Sequence, residues 1–99
     1  MANALRGETL LPLGARSLLL RPTFAALLAA EAEVGSLFRL LDRAAAGDVR
    51  LADMGALFWH CAVEAGCERP AFEADLLAAG TAALLEAYRA LLAAIFGRA

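Results

Sequence analysis

The stretch "RGETLLPLGARSLLLRPTFAAL", Arg6 to Leu27, changes pattern half-way along, and that change decides the fold. Up to Arg21 it reads as two short apolar runs on either side of Gly14-Ala15. These are expected to form strands over Glu8–Leu13 and Arg16–Arg21, with glycine supplying the positive φ that a tight turn needs. Leu11, Leu13, Leu18 and Leu20 then share one face of the ribbon, which leaves Leu10 and Leu19 on the other. Pro12 has no N–H to give to a ladder, so the first strand is expected at an edge. An isolated two-stranded ribbon is only marginally stable in water. The hairpin therefore has to lie on something.

What it lies on is helical. Thr23 follows Pro22 and precedes an apolar run, which is an N-cap signal. The helix it opens carries Phe24, Leu27, Leu28 and Glu31 on one stripe and should stop before Gly35. Ser36 caps a second helix, with Leu37, Leu40, Leu41 and Ala44 on one face and Gly47 as its stop. A third is expected from Leu51 to Ala65, ending at Gly66, because Met54, Leu57, Phe58, Cys61 and Ala65 keep helical spacing. Pro70 opens a fourth helix containing Phe72, Leu76 and Leu77, and Gly80-Thr81 breaks or bends the chain. The last helix presents Leu84, Leu85, Tyr88, Leu91, Leu92, Ile95 and Phe96 on one broad face. The expected fold class is α+β, mainly α: an N-terminal β-hairpin followed by a bundle of about five helices. At 99 residues the chain is expected to be one domain, 1–99, with the hairpin over 6–21 and the helices over 23–97.

Alanine and leucine make up nearly half of the residues, which favours helix but makes a thin core. A buried leucine contributes roughly 1.5–3 kcal/mol, whereas alanine offers one methyl group. Stability must come from the leucine, phenylalanine, tryptophan and isoleucine positions, or be supplemented by a partner. All nine basic residues are arginines, scattered from Arg6 to Arg98, and the formal net charge is −2. A nucleic-acid module would carry a basic stripe, so binding to DNA or RNA is not expected. The same lack of a basic face counts against a helix-turn-helix regulator over Leu51–Gly80. No apolar run approaches the ~18 residues that span a bilayer, and Glu8 and Pro12 interrupt any secretory leader. No membrane association is expected, and the chain reads as cytoplasmic.

Trp59-His60-Cys61 with Cys67 is the one cluster that looks like chemistry. It falls short of a zinc site, having three ligands at a C-x5-C spacing that matches no common motif. Neighbours on a helix point about 100° apart, so His60 and Cys61 do not make a nucleophile pair. Cys61 reads as a small core residue and Cys67 as a loop thiol, while His60 could meet Glu64 one turn on. Glu31 and Glu33 are two apart and diverge on a helix. Glu31, at the edge of the apolar stripe, reads as solvation of the helix end for want of a second acid. The glycines are spread singly, so no loop can cradle a phosphate. No catalytic, cofactor-binding or metal-ligating residue is expected.

The order of the pieces carries a resemblance. "NALRGE" leads into a hairpin with glycine at its turn, then "LLLRPTFAALLAAEAEVGSLFRLLDRAAAG", an "LADMGALFWHCAVEAG" helix and a closing "AAGTAALLEAYRALLAAIFG". Over almost the full chain this resembles the gene-transfer-agent family of small tail proteins, grouped with phage tail assembly chaperones and sometimes described as tail-tube associated. Its most specific pieces are Asn3, Arg6-Gly7-Glu8, "LRPTFAALLAAE", and Glu31 followed by Gly35. The middle, "FWHC" and "GCERP", departs from it in its aromatic and thiol content. The resemblance implies a non-enzymatic helper in building the tail of a phage-like particle, binding the tape-measure or tail tube proteins and shielding their apolar segments. The alternative it leaves open is a structural component of the tail tube or its junction, present in the assembled particle. Partner-binding residues expected on this basis are Arg6, Glu8, Leu10, Leu19 and Glu31. Self-association through the hairpin or the last helix is also expected, from the thin core and the two-faced leucines.

Overall fold

The computed structural model describes residues 7–97 and contains the hairpin and five helices in the expected order. Strand β1 (Thr9–Leu13) pairs antiparallel with β2 (Arg16–Leu20), with Leu11 opposite Leu18 and Leu13 opposite Arg16. Gly14 takes φ 64° while Ala15 keeps a negative φ, the type II′ pattern that matches the twist of the flanking strands. Leu11, Leu13, Leu18 and Leu20 are buried, as the alternation requires, and Leu10 points outward.

Helices α1 (Phe24–Val34) and α2 (Leu37–Ala45) begin where their caps say. The Thr23 hydroxyl accepts from the Ala26 N–H at 3.1 Å, and that of Ser36 from Arg39 at 3.4 Å. Each such cap satisfies an N–H that the helix leaves without a partner. Only Leu37 and Leu40 of α2 are buried. An ion pair between Arg43 and the buried Asp53 at 2.6 Å ties this helix to the next.

Helix α3 runs from Leu51 to Cys61, four residues shorter than expected. The reason lies in the hairpin. The outer edge of β2 presents the carbonyl of Leu19 and the N–H of Arg21, and both need partners. The chain leaving α3 supplies them: Val63 donates to the Leu19 carbonyl at 3.0 Å, and Arg21 donates to the carbonyl of Cys61 at 2.8 Å. Leu20 and Ala62 thereby form an antiparallel bridge. Ala65 keeps helical spacing in the sequence, but it lies beyond the helix.

Helix α4 (Arg69–Ala79) has proline in its first turn, and α5 (Thr81–Phe96) follows after a 110° bend at Gly80, whose φ is 93°. Both pack on β1, and α1 packs on α3. The core forms where the hairpin's inner face meets α3, α4 and α5. Its largest fully buried side chains are Tyr88, Phe58 and Phe72, followed by Leu11, Leu20, Leu40, Leu57 and Leu91. Edge-to-face contacts join Phe58 to Tyr88 and Trp59 to Phe72, so the aromatics supply the bulk that alanine cannot.

Candidate partner-binding groove

Small residues on α3 and the bend at Gly80 together leave a hollow. Leu51, Ala52, Met54, Gly55 and Ala56 of α3 form one wall, Leu76 and Leu77 of α4 the other, and Thr81 and Leu84 of α5 close the end. Gly55 and the two alanines do not fill the space between helices that diverge at 110°, and a cavity of about 400 Å³ remains. Leu51 and Leu77 stand at its mouth, 62% and 73% exposed. Two leucines left so open beside an apolar hollow favour association, because covering them removes apolar surface from water.

The opposite end of the groove is charged. Glu33, at the end of α1, is held by both terminal nitrogens of Arg69: Nη1 donates to Oε1 at 2.8 Å, and Nη2 to Oε2. His60 Nε2 lies 3.0 Å from the same Oε1. Arg69 Nε also donates to Glu73 Oε2 at 3.2 Å, one turn along α4. The Arg69 guanidinium, seconded by His60, lowers the carboxyl of Glu33 from its ordinary 4.5 to about 2. A two-pronged arginine–carboxylate contact is among the stronger geometries a surface can hold. It fastens α1, α3 and α4 together where the groove begins.

None of the partner-binding residues expected from the sequence lines this groove. Arg6 lies outside the described residues. Glu8 is buried, and its Oε2 accepts from Arg21 Nε at 2.5 Å, which clamps the base of the hairpin. Leu10 is 48% exposed and borders a separate shallow depression of about 180 Å³ with Pro12, Ala83, Glu86, Ala87 and Ala90. Leu19 is half-buried and its carbonyl serves the bridge to α3. Glu31 reaches forward, its Oε2 accepting from the Leu37 N–H at 2.9 Å, and so caps α2.

The other sequence candidates separate as well. Cys61 is buried, and burial pushes its thiol up to about 12, far from the reactive thiolate range. Cys67 lies 3.8 Å from Arg16 Nη2, and both thiols are free. His60 turns to Glu33 of α1 and not to Glu64, because Glu64 lies beyond the shortened α3. Arg69 and Asp53 were missed, and Glu33 was noted only for its divergence from Glu31. The spacing of Arg69 and Glu73 by four was the one signal available for that end of the groove.

Among the described residues no single helix is long and apolar enough to cross a membrane; α4 and α5 have the composition together but are bent apart. No curated protein and no solved structure matches the chain. One family model does, the one described as "Phage tail tube protein, GTA-gp10", over residues 6–98. The match takes in the hairpin, all five helices and the groove between them, in agreement with the tail-protein resemblance of the sequence. The chain therefore belongs to the phage tail tube protein GTA-gp10 family, a structural family of the phage tail and not an enzyme family.

Proposed function

We propose that this chain acts in tail assembly by holding an apolar segment of another tail protein, the tape-measure or the tube protein, in the groove between α3, α4 and α5. The observation that carries the reading is the open apolar hollow with Leu51 and Leu77 exposed at its mouth. A segment docked there covers surface that the fold leaves in water, and helix-in-groove capture is a recurring way to hold an amphipathic partner. The charged groups nearby, Glu33, Arg69, His60 and Glu73, contact one another along the rim of the groove.

Leu77→Glu tests it. The side chain stands clear of the core, so the variant should fold with an unchanged denaturation midpoint. Co-expressed with the tape-measure protein of the same tail cluster, the native chain should keep that protein soluble, and the variant should not. Equal performance of the two removes the groove from the proposal.

The family description favours a second reading, in which the chain remains in the particle as part of the tube or its junction. Mass spectrometry of purified particles separates the two: stoichiometric presence supports the structural role, absence the transient one. The outer face of the hairpin, where Leu10 borders its own shallow depression, is the surface we assign to self-association or a tail contact.

A further inference from the structure

We infer that the occupant of the groove is a helix of another protein whose apolar stripe ends in an arginine or lysine, and that this cation seats beside Glu73. The inference rests on the groove being the docking site and adds the chemistry of its partner. Two carboxylates, Glu33 and Glu73, share one arginine at the polar end, so these three groups together carry one negative charge. The sharing is unequal. Arg69 engages Glu33 through both terminal nitrogens and Glu73 through Nε alone, and Glu73 remains 54% exposed. Glu73 is thus the group with unused acceptor capacity, and it lies one turn of α4 from Leu77. An apolar wall followed by an open carboxylate on one helix is complementary to a stripe of leucines followed by a cation.

A second copy of this chain is the poorer fit. Its exposed helical apolar groups away from the groove are Phe38 on α2, a single ring beside Arg39 and not a leucine stripe, and Phe24 and Leu28 on α1, whose charged residues are Glu31 and Glu33. Docked in the groove, that helix brings acid to an acidic rim. The complementary partner is a basic amphipathic helix from a different chain.

The experiment uses three synthetic 18-residue alanine-rich helices with leucines at i, i+3, i+4 and i+7. They differ only in the residue one turn beyond the stripe: arginine, glutamine or glutamate. Binding to the full chain is read by fluorescence anisotropy at low and high salt. The arginine peptide should bind roughly 3- to 10-fold more tightly than the glutamate peptide at low salt, with the gap narrowing at high salt. Glu73→Gln should shrink that preference, and Leu77→Glu should abolish binding of all three. Equal binding of the three peptides, lost in Leu77→Glu, overturns the cation inference and leaves the groove standing. A preference that survives Glu73→Gln overturns the assignment to Glu73. Absence of binding, or binding indifferent to Leu77→Glu, overturns the groove together with the inference.

Discussion

Glu31 and Glu33 sit two residues apart on α1 and are put to different uses. Glu31 reaches along the chain to cap α2 only six residues on, while Glu33 reaches across the fold to Arg69, thirty-six positions away. Their divergence follows from helical geometry and was legible; which of the two meets a cation was not, because that depends on where α4 is laid down. The pairing has a pH signature. The folded-state pKa of Glu33 is depressed to about 2 from an ordinary 4.5, so its contribution is present above 4.5 and lost as pH falls from there towards 2. The group is well exposed, which limits the contribution to under about 1 kcal/mol. Urea denaturation across that window should show the native chain losing stability more steeply than Glu33→Gln, and parallel losses would mean that the pair contributes nothing to folding.

At the scale of elements, most of the layout was legible in the sequence, through local signals. Gly14 set the turn, Thr23 and Ser36 set two helix starts, and Gly80 set the bend. The exception is the end of α3, where an apolar period running on to Ala65 gave way at Cys61 to the open edge of β2. A continued helix would have left the Leu19 carbonyl and the Arg21 N–H without protein partners. Val63→Pro tests that account by removing the N–H that Leu19 accepts from. We expect a loss of about 1–3 kcal/mol, whereas Val63→Thr, which keeps the N–H, should be near neutral. Equal effects of the two substitutions on the denaturation midpoint would show that the bridge does not hold the hairpin down.

For the molecule as a whole, the hairpin answers to two surfaces. Its inner face closes the core with four buried leucines, and its outer face leaves Leu10 beside a depression on α5. Leu10→Glu should therefore preserve the fold and weaken the proposed self-association, read by sedimentation velocity at high micromolar concentration. A native chain that sediments as a strict monomer at that concentration removes self-association from the proposal. The order of elements, their caps and turns and the buried leucine set were legible in the chain, because each rests on residues within a turn or two of one another; the family resemblance was legible because it rests on the order and spacing of such pieces along almost the whole chain. Tertiary structure decided the end of α3, the partner of Glu33, the burial of Asp53 against Arg43, and the groove. Each of these depends on how separate elements are laid against one another: the β2 edge on the chain leaving α3, α2 on α3, and α1 and α4 on either side of the groove. That placement follows from how the aromatic and leucine side chains pack, and no short-range period encodes it.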